Sequence, residues 1–224
     1  MKKLIALTLA CLMLTMSFVA CNKTEPETTT EAVDNNQTEA PAVDQTEEQT
    51  EAAVELPYSS AIELLNIVFN GYNATATEDT MLYVAGGNIY NFDTVNAEGP
   101  AAFVALADTD YNDNLGIPES EASKIESAAS MFNMMNTNTF NCFTVQFKAG
   151  TDVDASINAI KENILARQWI CGSPEKLVII KCPGDSILVI WGVVDFGGIV
   201  DPVAASVLTL VEGATTVVEH SFAQ

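Results

Sequence analysis

Residues 140–194 constrain the fold more than any other stretch, because the period of their apolar residues changes twice within one short run. FNCFTVQFKAG alternates. Phe143, Val145 and Phe147 fall on one side and Thr144, Gln146 and Lys148 on the other, the pattern of a strand with one face buried. From 151 to 170 the spacing becomes helical, with Val153, Ile157, Ile160 and Ile164 as a core stripe. Thr151 and Asp154 approximate a capping pair, and Arg167 in the last turn suits the negative end of the helix dipole. Gly172, Ser173 and Pro174 stop that helix. Leu177 to Ile180 then form a continuous apolar run, as a central strand does. Pro183-Gly184 predicts a type II turn, and 186–194 returns antiparallel. A helix over 199–211, with Pro202 in its first turn, and a strand over 215–220 complete the chain. The order from about residue 140 is strand-helix-strand-strand-helix-strand. It predicts an α+β fold: a ferredoxin-like two-layer sandwich of helices on a mainly antiparallel sheet.

Upstream, 57–73 reads as an amphipathic helix. Ser59 or Ser60 caps it, Glu63 sits in the first turn, Ile62, Leu65, Val68 and Phe69 form the apolar face, and Gly71 ends it. Met81 to Val84 could make a short strand broken by Gly86-Gly87, and 101–107 is apolar but open between helix and strand. Residues 120–134 read as a helix with Ala122, Ile125, Ala129 and Phe132 on one face. Met131, Met134 and Met135 are then core filler rather than metal ligands.

DTDYNDNLGIPE, residues 108–119, places Asp108, Asp110, Asn112 and Glu119 at positions 1, 3, 5 and 12 of a calcium loop. Position 6, where such a loop turns sharply on glycine, is Asp113, and Gly116 and Pro118 disturb the exit. The favoured reading is a polar loop that caps the next helix at Glu119 or Ser120.

The first residues read MKKLIALTLACLMLTMSFVAC. Lys2 and Lys3, an apolar run and the Ala20-Cys21 junction form a secretory signal over 1–20 that resembles the lipobox of bacterial lipoproteins, with Cys21 as the lipid attachment site and Phe18 where Leu is usual. Each buried methylene of an acyl chain contributes about 0.8 kcal/mol, so two or three chains hold a domain firmly on a membrane. Residues 21–56 read as a disordered acidic linker, with ten carboxylates against Lys23. A single α+β domain over 57–224 follows. The expected location is the outer face of the cell membrane.

The inventory argues against many enzymes. The one histidine, His220, lies near the end in a tail expected to fray, which disfavours nucleophile-histidine catalysis. Asp195-Phe196-Gly197 spells a kinase signature without the motifs that must accompany it. Cys142, Cys171 and Cys182 lack metal-ligand spacing. They are either buried small hydrophobes or contain one disulfide, Cys171–Cys182 or Cys142–Cys182. The domain has 20 acidic and 6 basic residues, a net charge of -14, so nucleic acid is excluded as a partner. No cofactor is expected and no catalytic residue can be named. The function expected is a non-catalytic binding or structural module for a protein, peptide or small-molecule ligand. The alternatives are a calcium-dependent module using the 108–119 loop and a cell-envelope hydrolase with a carboxylate pair.

Tyr111-Asn112, the 119–134 segment, Met134-Met135-Asn136-Thr137, the 143–149 strand, Arg167-Gln168-Trp169, the Pro174 break and the Pro183-Gly184-Asp185 hairpin occur in that order. In this the chain resembles domain of unknown function 4358, a family of small bacterial lipoproteins, over most of 57–211. Cys171 to Ser173 depart from the aromatic residue expected before the proline. The resemblance implies an exported, anchored domain and carries over no catalytic residue.

Overall fold

A computed structural model describes residues 56–170, 172–194 and 198–223, which belong to one compact unit. The signal segment, Cys21, nearly all of the acidic linker, Cys171 and Asp195-Phe196-Gly197 lie outside the described residues.

Six strands form one antiparallel sheet: β1 (Ala101–Ala102), β2 (Ile125–Phe132), β3 (Phe140–Phe147), β4 (Lys176–Cys182), β5 (Ser186–Gly192) and β6 (Thr215–Ser221), in the spatial order β1-β2-β3-β5-β4-β6. The helices are α1 (Ala61–Asn73), α2 (Thr109–Leu115), α3 (Glu119–Ala122), α4 (Val153–Ala166) and α5 (Val200–Leu210). The anticipated α+β sandwich of helices on an antiparallel sheet is present, and so is the element order from residue 140.

The crossovers decide how the layers stack. The α4 connection runs from β3 to β4 with β5 between them. The α5 connection runs from β5 to β6 with β4 between them, moving across the sheet in the same direction but along strands pointing the other way. Right-handed crossovers then put the two helices on opposite faces. The core divides accordingly. α1 and α5 pack with Cys142, Val178, Ile180, Leu188 and Ile190. α4 packs with Phe143, Val145, Ile179, Ile187 and Val189 on the other side. In a ferredoxin-type layout the last strand would pair with β3. Here β6 pairs with β4, β2 takes the β3 edge, and a second helical layer is added to the two expected.

Local sequence explains most elements. Ser60 caps α1 by accepting from Glu63 N, and Glu63 Oε2 accepts from Ser59 N at 2.7 Å. The cap of α4 is Asp152, which accepts from Ala155 N, and not Thr151. That helix ends at Ala166, so Arg167 lies beyond its last turn. Gly71 does not terminate α1. It lies within the helix, and a Cβ there would meet Leu210 Cδ1 of α5 at 2.6 Å, so glycine permits the close approach of the two helices.

Residues 120–134 are the main correction. Only α3 is helical; 125–132 form β2, paired with β1 and β3. Ala128, Ala129 and Met131 are strong helix formers, but two neighbouring strands outbid propensity. Met81 to Val84 form no strand; pairing begins with the bridge Ala85↔Phe132. β3 is buried on both faces, since α1 covers the polar side, where Thr144 Oγ1 donates to Ala61 O at 2.7 Å. His220 is an element of β6, opposite Leu177, rather than part of a frayed tail. Gly184 has the expected positive φ of 69°, and Asp185 follows at 54°.

Cys142 and Cys182 are free and buried. They lie on β3 and β4, which β5 separates, so their backbones are at least two strand spacings apart, about 9.5 Å. A disulfide needs Cα atoms within about 7 Å. Burial pushes the Cys142 thiol well up and the Cys182 thiol up to about 12. Folding therefore favours the protonated thiols, and their contribution is complete below the unfolded value of about 8.5 and lost as pH climbs toward the folded one. Urea unfolding between pH 9 and 11 is expected to show stability falling by up to about 1.4 kcal/mol per pH unit per thiol. The Cys142→Ala/Cys182→Ala variant should show a correspondingly shallower fall.

Candidate functional site

At one end of the sheet three polar segments meet. The first is the 133–139 turn between β2 and β3, which asparagine side chains organise. Asn133 Oδ1 accepts from Met135 N and Asn136 N, and Asn136 Oδ1 accepts from Asn138 N. The turn is tied to the core by Trp191 Nε1, which donates to Thr137 O at 3.1 Å. It is tied to the second segment, the exit from α4, by Asn138 Nδ2, which donates to Ile170 O and Gly172 O at 2.7 Å each.

The third segment is the end of α2. Gly116 closes this helix with a left-handed φ of 66°, and a Cβ there would lie 2.7 Å from Ile164 Cγ1 of α4. That close approach sets Asn112 against Asn163, whose Nδ2 donates to Asn112 Oδ1 at 2.8 Å and to Gly116 O at 2.9 Å.

Arg167, the chain's single arginine, joins all three. Its Nη2 donates to Asp113 O at 2.7 Å, and its guanidinium sits 5.2 Å from the centre of the Trp169 ring. Trp169 continues an edge-to-face series that runs inward through Trp191 to Phe143 and outward to Phe222. Burial lowers the Arg167 pKa, while Asp113 and Tyr90 oppose that shift.

Three concavities share Arg167; one, of about 230 Å³, lies along Asn112, Asp113, Asn163 and Ala166, and the other two face the β2–β3 turn. The smaller, of about 150 Å³, is lined among others by Tyr90, Asp113, Asn114, Thr137, Asn141 and Arg167. The larger, of about 470 Å³, runs along Met134 to Asn138 and Arg167 to Ile170. Within this region Arg167 Nη1, Trp169 Nε1 and Asn141 Oδ1 are buried without a hydrogen-bond partner among the protein's own groups. Asn141 is only 3% exposed. Native proteins satisfy most such atoms, so three together mark a place where packing was not optimised for its own sake. The floor lies beside an apolar rim: Met135 is 93% exposed, Ile170 81% and Met134 63%. A further groove of about 550 Å³ adjoins it along Leu82, Tyr83, Val84, Ala97, Glu98 and Asn133 to Met135.

The calcium-loop residues do not converge. Residues 109–115 are helical, and side chains two apart on a helix point about 200° away from each other. Asp110 accepts from Leu106 N at 2.7 Å and Asn88 Nδ2 at 2.8 Å, and the Leu106 bond lowers its pKa. Asn112 is held by Asn163, Asp108 precedes α2 and Glu119 is exposed at the start of α3. Among the described residues no three acidic, histidine or cysteine side chains are placed to hold a metal ion. The concavities lined by Arg167 or Met135 hold at most one carboxylate each, Glu98 or Asp113, so they offer no pair for glycoside hydrolysis.

Sequence reading gave Arg167 only a role at the helix dipole and left Asn141 unremarked. The usable signal was compositional: one arginine in an acidic domain, and asparagines at 112 and 114 before β2 and at 133, 136, 138 and 141 after it.

Leaving Asn141 Oδ1 unpaired costs stability. Asn141→Leu, nearly isosteric, is expected to raise the unfolding free energy by about 1 kcal/mol in urea denaturation. Comparison of the chain with family models, with curated proteins and with solved structures finds no match in any of the three.

Proposed function

We propose that this chain is an extracytoplasmic, lipid-anchored protein whose domain is a non-catalytic binding module, with the Arg167 cleft as its ligand site. One observation carries the binding reading: Asn141 and Arg167, whose Oδ1 and Nη1 are buried and unpartnered, line one small cavity, and Arg167 also lines the wider space bordered by the exposed Met134, Met135 and Ile170. A few convergent polar groups next to apolar surface are what a ligand site needs, with polar groups to orient and apolar area to bind. A purely structural end of a sheet would gain stability by pairing or replacing those atoms.

The anchor reading rests on residues 1–21, with Cys21 as the acylated residue. Among the described residues no helix is long and apolar enough to cross a membrane. The resemblance to the lipoprotein family named above points the same way.

Two experiments test this. Mass spectrometry of the product made in a bacterial host should find the chain beginning at an acylated Cys21, and Cys21→Ser should release it from the membrane fraction. An unmodified chain retaining its leader would refute the anchor. Fragment screening by ¹⁵N–¹H correlation spectra should place binders on residues 134–141 and 167–170. Hits scattered over the α5 face instead would refute the site.

A further inference from the structure

We infer that the Arg167 cleft takes an amide, the backbone of a neutral or basic peptide with apolar side chains, rather than a carboxylate. The inference rests on the reading of this cleft as the ligand site and names the chemistry it selects.

The unpaired atoms are one donor and one acceptor. Arg167 Nη1 requires an acceptor and Asn141 Oδ1 requires a donor. A carboxylate supplies acceptors alone, whereas an amide supplies both. Asn141 Nδ2 faces Asn114 O at 3.5 Å, a long contact that favours this orientation because a flipped amide would set oxygen against that carbonyl.

Charge points the same way. Asp113 lines the same small cavity as Arg167, and its negative field already supports the guanidinium charge. One carboxylate is therefore already close to the guanidinium, and what Nη1 itself lacks is a hydrogen-bond acceptor. At longer range the domain's net charge of -14 repels carboxylates and attracts cationic peptides.

Size narrows the class. A cavity of about 150 Å³ matches the liquid volume of about five waters, room for an amide and its adjoining carbon. The wider space of about 470 Å³ across Arg167, bordered by Met134, Met135 and Ile170, suits a neighbouring apolar side chain. Methionine adapts its shape to what it meets, so this part of the surface accepts more than one such side chain.

The experiment titrates the full chain with the N-methylamide of 4-(methylthio)butanoic acid and, separately, with 4-(methylthio)butanoate, which carries a carboxylate at the same place and no other amide. Side-chain ¹⁵N–¹H resonances of Asn141, Arg167, Trp169 and Trp191 are followed. The methylamide should shift the Asn141 and Arg167 resonances saturably, binding at least about tenfold tighter than the carboxylate, a gap of one ordinary hydrogen-bond mismatch. Asn141→Leu should weaken the methylamide at least tenfold, and Arg167→Gln supplies the same test should that variant not fold. Tighter binding of the carboxylate at these resonances overturns the amide assignment and leaves the site standing. Methylamide binding that survives both variants confines the ligand to the methionine rim and also overturns it. If neither probe moves these resonances at tens of millimolar, the cleft is not a ligand site and both readings fall.

Discussion

Burial of β4 and β5 on both faces is the constraint on which the rest of the molecule depends. Every residue of β5 is buried, as are Leu177 to Ile180 of β4. A sheet that is apolar on both sides must be covered twice, once by α1 with α5 and once by α4 with the α2 region. Because α4 lies on its own side of the sheet, its exit segment leaves the helix next to the β2–β3 turn. Salt bridges reinforce this framework without creating it. Lys176 reaches Asp201 of α5 and Glu219 of β6 at 2.6 Å each, and Lys181 reaches Asp154 of α4, but such partly exposed pairs contribute little individually.

The end of the sheet follows a different logic. In the core, nearly every position is filled by an aliphatic or aromatic side chain. At the cleft β3 offers Asn141, and the turn before it is held by asparagine side chains substituting for backbone pairing. This gives a loop of fixed shape beneath exposed methionines, and a single guanidinium stacked against the aromatic series that begins in the core. Rigid backbone and adaptable apolar tips are combined within a few residues, which is the division of labour that binding requires.

Where an element carried strong periodic signals over enough residues, it was legible. The α4 stripe, the β4–β5 hairpin and the proline-led α5 all stand where their residues indicate. Where the signal was short or ambiguous it misled. Ala122, Ile125, Ala129 and Phe132 satisfy a helical face on paper, yet Ile125–Phe132 is a strand because β1 and β3 were available to pair with it. DTDYNDNLG reads as alternating oxygen ligands or as a polar loop capping the next helix, and it is neither: Thr109–Leu115 is helical, and α3, which follows, starts after Pro118 with no side-chain cap. The α2 helix prevailed once it could rest on Ile164.

From the amino acids alone came the α+β class, the sequence of elements from 140 onward and the reason for it: local period reports which face of an element is apolar. The placement of β6 beyond β4, the separation of Cys142 from Cys182 and the gathering of Arg167, Asn141 and the methionines were decided only by tertiary structure. Those depend on which edge a strand joins and on which side a crossover passes. Such choices are set by the burial of the sheet as a whole, so no single stretch of sequence records them.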